Sequence, residues 1–197
     1  MKKKNRKNGR SIDKKGSALS RAFGRPGSAD AALACIAAVA VTACVSSVRV
    51  KETSMQPNIF EDDLLILDKT AYRRRAPKRG DVIVFRARAQ NKPKYFIKRV
   101  IGLPGDVIDI SGGEVLVNGK PQDQSYTNDG TTEGESAFQH EVPEGKLFVL
   151  GDNRAVSLDS RNSAIGDVAI KDVVGAAVFR LYPRGVSGRL PRYGADA

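Results

Sequence analysis

Cysteine, histidine and tryptophan are scarce in this chain of 197 residues, which has two Cys, one His and no Trp. Both cysteines, Cys35 and Cys44, stand in one apolar run, so the sequence after it cannot be a disulfide scaffold. A metal centre needs several side-chain ligands, and His140 stands alone. There is no Gly-rich loop ending in Lys and Ser or Thr to cradle a phosphate. No solenoid-type repeat is present. Neither a metal nor a cofactor is expected.

Charge is abundant but unevenly placed. The net charge is +11, from 33 basic and 22 acidic residues. Residues 1–30 hold ten Lys or Arg and two Asp, which is +8 and leaves +3 for the rest. A basic tail on a near-neutral domain argues against nucleic-acid binding over a broad surface. From Ala31 to Val48 run 18 residues without a charge, bounded by Asp30 and Arg49. As a helix this run spans about 27 Å, close to the hydrocarbon thickness of a bilayer. The expectation is a single membrane span. The basic tail before it stays in the cytoplasm by the positive-inside rule, and everything after Val48 lies outside. Val41-Thr42-Ala43-Cys44 loosely resembles a lipoprotein processing box, but a small residue packed in a helix is the simpler account of Cys44.

The outer domain, 49–183, reads as mostly β. Short runs rich in Val, Ile, Leu and Phe are expected at 63–67, 81–85, 95–101, 107–110, 114–117, 146–150 and 173–182. Gly, Pro, Asn and Asp separate them. Gly112-Gly113 and Asn118-Gly119 suit tight hairpin turns. The expected fold is a mostly β domain of coiled antiparallel sheet behind one N-terminal transmembrane helix. Residues 122–139 read as an exposed loop, and 184–197 as a loose C-terminal tail.

A serine nucleophile does not require histidine, since a neutral lysine can serve as its base. Such a lysine must be buried among apolar groups that lower its pKa. Lys98 fits, because strand alternation puts it on one face with Phe96 and Val100, opposite Ile97 and Arg99. An edge-strand lysine that blocks aggregation is the alternative. Ser54, in Thr53-Ser54-Met55-Gln56-Pro57, is a candidate nucleophile or an ordinary turn serine. The run Gly151-Asp152-Asn153-Arg154-Ala155-Val156-Ser157-Leu158-Asp159-Ser160-Arg161 is either a solvated loop or a buried ion-pair network. His140, beside Glu141, reads as a solvated loop histidine.

Together these stretches resemble bacterial type I signal peptidases, the serine-lysine leader peptidases. Ser54-Met55-x-Pro57 is similar to the family's serine box, and Lys98 to Asp106 to its lysine box. Residues 151–161 resemble its GDNR-x-x-S-x-D-S-R box, and Arg79 to Phe85 the strand before the lysine box.

The resemblance implies removal of signal peptides from exported preproteins at the outer membrane face, after small residues in an Ala-x-Ala pattern. It implies Ser54 as nucleophile and Lys98 as general base. Ser157 would orient the lysine. Asp159 and Arg161 would form a supporting ion pair, with Asp152 in the same network. The Ser54 N–H would donate to the oxyanion. Val50, Met55, Phe96 and Ile97 are the candidate substrate-pocket lining. Where some relatives place a serine two positions before the nucleophile, Glu52 stands here and is expected to point away. Asn58 replaces a usual threonine. The implied partners are signal peptides, the lipid bilayer and a nearby secretion translocon, with no nucleic acid. The alternatives are a membrane- or lipid-anchored binding protein and a self-cleaving repressor. The latter lacks a DNA-binding helix-turn-helix pattern in residues 1–50.

Overall fold

The computed structural model describes residues 30–35, 43–89, 92–128, 138–182 and 187–193. The chain divides into two units, 1–40 and 41–197. In the first, residues 30–35 are helical. All that follows concerns the second.

It is built on antiparallel strands. A sheet of eight strands has the order β1-β2-β11-β3-β4-β9-β10, with β12 added to β11. Its strands are β1 (Val45–Arg49), β2 (Leu64–Asp68), β3 (Val82–Ala89), β4 (Lys92–Gly102), β9 (Lys146–Leu150), β10 (Val168–Ala169), β11 (Val173–Tyr182) and β12 (Gly188–Arg189). A second sheet has the order β7-β6-β5-β8, from β5 (Val107–Ser111), β6 (Glu114–Val117), β7 (Lys120–Pro121) and β8 (Phe138–Glu141). The expected hairpins form. Gly112 and Gly113, at φ +58° and +85°, turn β5 into β6. Asn118 and Gly119, at +53° and +76°, turn β6 into β7. Both turns take the positive φ that glycine and asparagine tolerate best.

The long strands alternate as their sequences require. On β4, Phe96, Lys98 and Val100 share one face and Ile97 and Arg99 the other, in register with β3 through Ile83↔Lys98 and Val84↔Ile97. Three apolar clusters hold the unit together. One joins the small sheet to β4 and β9 through Ile101, Ile108, Val115, Val142, Phe148 and Leu150. A second packs Ile83, Phe85, Phe96, Val100, Leu147 and Val149. A third, of Val50, Met55, Ile59, Leu65, Val82 and Ala177, lies beneath the segment that carries Ser54.

Three expectations are corrected here. Residues 45–48, assigned from their lack of charge to the end of a membrane helix, form β1 and pair with β2, Val45 opposite Asp68. Two β-branched valines three residues apart suit a pleated edge, and absence of charge does not distinguish strand from helix. Half of the rest of the expected span, 36–42, lies outside the described residues. Among those described, no helix is long and apolar enough to cross a membrane. Residues 187–193, assigned to a loose tail, instead follow β11, with Phe179 opposite Arg189. His140 is on β8, where Nε2 lies 2.8 Å from Asp167 Oδ2, so it is a paired strand residue and not a solvated loop histidine.

Gly102 ends β4 where the register with β9 shifts, and it has no room for a side chain. A Cβ there would lie 2.7 Å from Ile108 Cδ1, 2.9 Å from Val142 Cγ2 and 3.0 Å from Phe148 Cβ. Gly102→Ala is therefore expected to destabilise the domain by about 1–3 kcal/mol, the usual range for overpacking, measured by urea unfolding.

Candidate active site

Ser54 lies in a tight turn after β1. Gln56 N–H donates to Thr53 C=O at 3.1 Å, and Ile59 N–H to Met55 C=O at 2.9 Å. The Gln56–Pro57 peptide is cis. Met55 and Ile59 are buried in the cluster below and fasten the turn to the core. Ser54 is left 7% exposed.

Lys98 rises from β4 to meet it. Its Nζ lies 2.6 Å from Ser54 Oγ in a hydrogen bond. The lysine is fully buried and its Nζ is 5.8 Å from the centre of the Phe96 ring. Burial disfavours the ammonium and brings the lysine pKa from 10.5 down to about 8. The negative charges of Asp159, Glu52 and Asp152 oppose that shift without cancelling it. The result is an amine that sheds its proton close to neutral pH while touching a serine hydroxyl, the arrangement an activated serine needs.

The 151–161 run forms a buried network and not a solvated loop. Asp159 is fully buried and accepts from Arg161 twice, Nε to Oδ1 and Nη2 to Oδ2, both at 2.9 Å. Asp159 Oδ2 also accepts the Gly151 N–H at 3.0 Å. Arg161 Nη2 reaches the Arg154 carbonyl at 2.7 Å. This pair is the one the resemblance implied. Asp152 belongs to a different pair. Its two oxygens accept from Arg99 Nε at 2.8 Å and Nη2 at 2.7 Å. Asn58 Nδ2 donates to Asp152 Oδ2 at 2.9 Å and to the Tyr126 carbonyl at 2.8 Å. The next residue, Asn153, donates its N–H to the Ser54 carbonyl at 3.0 Å.

Ser157 departs from expectation. Its Oγ is buried and has no hydrogen-bond partner among the described residues, so the link to Lys98 is not formed. The hydroxyl is pressed against Gly151, where an added Cβ would collide with it and with the Ser54 carbonyl. The hydrogen bond of Lys98 is directed to Ser54 instead.

A cleft of about 420 Å³ opens beside Ser54, walled by Val48, Val50, Met55, Val84 and Ile97. Three of the four expected lining residues are there. Phe96 is not, because neighbours on a strand face opposite sides, and its 2% exposed ring stacks on Phe85 at 5.7 Å in the core. Glu52 also borders the cleft and forms an ion pair with Lys94, so its carboxylate is drawn toward a cation.

Sequence reasoning did not anticipate the roles of Asn58, Arg99, Tyr126 or Asn153. Asn58 and Arg99 stand inside or beside recognised motifs, which was the available signal. Tyr126 carried none, since it lies in a polar stretch far from them in sequence.

The family model of signal peptidase, peptidase S26, matches residues 27–182. Signal peptidase I of Leptolyngbya laminosa is 36% identical over 168 residues, covering 80% of this chain and 79% of that protein. Signal peptidase I of Bacillus caldolyticus is 38% identical over 161 residues, covering 76% and 86%. A solved signal peptidase I from Enterococcus faecalis V583 is 31% identical, covering 52% of this chain and 97% of the other, with a TM-score of 0.44. The chain belongs to the signal peptidase family, peptidase S26, and is a serine peptidase that removes signal peptides.

Proposed function

We propose that this enzyme cleaves preproteins with a Ser54–Lys98 dyad, through an acyl-enzyme, after small side chains of the Ala-x-Ala type. The observation that carries the reading is the 2.6 Å contact between Ser54 Oγ and the desolvated Lys98 amine. Neutral Lys98 takes the hydroxyl proton as Ser54 Oγ bonds to the scissile carbonyl carbon. The oxyanion forms near the Ser54 N–H, which engages no other acceptor among the described residues. As the carbonyl re-forms, the C–N bond breaks and Lys98 returns the proton to the leaving amine. Water then attacks the ester. Lys98 takes the water proton and hands it to Ser54, and the signal peptide leaves as a carboxylate.

The walls of the cleft support a preference for small residues. Val50 and Met55 are nearly fully buried, so the walls they form beside Ser54 are held by core packing and yield little to a bulky side chain. An extended substrate suits this place by pairing with exposed backbone at the cleft edge. The Asp159–Arg161 pair supports the lysine side of the site.

The basic tail and uncharged run support a membrane-anchored enzyme with its N-terminus in the cytoplasm and its catalytic unit outside. The start of β1 at Val45 requires such an anchor to end by Cys44. Its partners are then the bilayer, exported preproteins and a neighbouring translocon.

Ser54→Ala and Lys98→Ala are each expected to lower kcat for an Ala-x-Ala preprotein by about 10³-fold or more. His140→Ala is expected to stay within about two-fold, because that side chain pairs with Asp167 and has no part in the dyad. Cleavage followed by gel shift of the processed product measures all three, and activity surviving in either dyad variant refutes the assignment. The pH profile has a definite sign. Burial lowers the Lys98 pKa, so the competent neutral form accumulates as pH rises through about 8. The rate is expected to fall about tenfold per pH unit below that point. An acid limb well below it would assign the base to another group.

A further inference from the structure

Arg99 is the largest fully buried side chain among the described residues, and part of its enclosure comes from the C-terminal segment. Two of its N–H groups go to Asp152. Nη1 donates to the Gly80 carbonyl at 2.9 Å and to the Pro191 carbonyl at 3.1 Å. The guanidinium carbon lies 4.9 Å from the Tyr126 ring centre and 5.2 Å from that of Tyr193. Those rings stack on each other, with centres 4.9 Å apart and planes within 8°.

The segment is securely seated. β12 pairs with β11, and Leu190 N–H donates to the Val178 carbonyl at 3.2 Å. Arg192 Nε lies 2.9 Å from Asp81 Oδ1. Gly80, at φ +79°, has no space for a Cβ because the Tyr193 backbone lies against it.

The cation so enclosed is connected to the chemistry on both sides. Arg99 directly follows Lys98 on β4. Its partner Asp152 also holds Asn58, four residues after Ser54, and precedes Asn153, whose N–H holds the Ser54 carbonyl. We propose that Pro191 and Tyr193 are positioning residues for catalysis, which keep the Arg99–Asp152 pair dry and in register so that the Ser54 turn stays against Lys98. The proposal rests on the dyad reading above. Without the Tyr193 ring, water reaches the guanidinium and the pair weakens in the higher local dielectric. The turn and the lysine are then held less closely, and a shift of about 1 Å between reacting groups can cost about 10² in rate.

The test compares the full-length wild type with Tyr193→Ala, Tyr193→Phe, Tyr193→Leu and Ser54→Ala on one preprotein across the Lys98 titration range. Tyr193→Ala is expected to lower kcat about tenfold or more with KM within about two-fold. Its acid limb is expected to move about half a unit to higher pH as water reaches the lysine. The charged groups facing Lys98, namely Asp159, Glu52, Asp152 and Lys94, are unchanged in this variant, so a moved limb reports altered hydration or placement. Tyr193→Phe is expected to restore both values, because the ring and not the hydroxyl covers Arg99. A loss that is uniform in pH, with the limb unmoved, would mean a merely structural role and overturn the proposal. If Tyr193→Ala does not fold, Tyr193→Leu serves instead: its smaller apolar cover is expected to keep kcat within about threefold with the acid limb in place, and a larger loss with the limb unmoved overturns the proposal. Ser54→Ala separates the two failures. Activity in that variant refutes the dyad, whereas its inactivity beside a normal Tyr193→Ala refutes only the role of the C-terminal segment.

Discussion

An alkyl ammonium in a hydrocarbon interior is unfavourable unless it loses its proton or finds a compensating charge. Strand β4 uses both solutions at consecutive residues. Lys98 faces Phe96 and Val100, and burial lowers its pKa toward neutrality. Arg99 faces the other way and keeps its charge against Asp152 in a two-point contact. A guanidinium is not deprotonated at any relevant pH, so it can serve as a permanent strut where a second lysine would not. Strand alternation thus places a titratable amine and a fixed cation side by side with separate environments.

The rest of the large sheet follows from the need to keep these two residues where they are. Gly151 to Arg161 closes over the end of β9. It supplies Asp159 to Arg161, Asp152 to Arg99 and the Asn153 N–H to the Ser54 carbonyl. The nucleophile turn is therefore fastened from below by the side chains of Met55 and Ile59, and from the side by polar contacts. Buried polar networks of this kind are favourable only when nearly every group is satisfied.

Much of this was legible in the sequence, and the misreadings have physical causes. Strands β4, β5, β6, β9 and β11 announced themselves because β-branched residues are bounded there by turn residues. Motif singled out Ser54 and Lys98, which the fold brings into contact, and alternation pointed to the burial of Lys98. β1 was missed because absence of charge is shared by membrane helices and edge strands. Phe96 was misplaced by proximity in sequence to Ile97, although adjacent strand residues diverge in space. Asp152 was grouped with Asp159 for the same reason, whereas its partner Arg99 is 53 positions away. The docking of residues 187–193 carried no local signal, because a two-strand pairing and a stacked tyrosine are long-range contacts with no periodicity of their own.

Val50 and Met55 line the cleft beside Ser54, and they also belong to the apolar cluster that seats the Ser54 turn. The shape of the cleft and the stability of the domain therefore rest on the same methyl groups. Trimming either side chain to admit a bulkier substrate opens a void in the core and loosens the floor under Ser54. Ile97 is only partly buried and packs against the cluster from its edge. Val48 stands likewise, so the cleft can change shape at these two side chains with the least disturbance to the core.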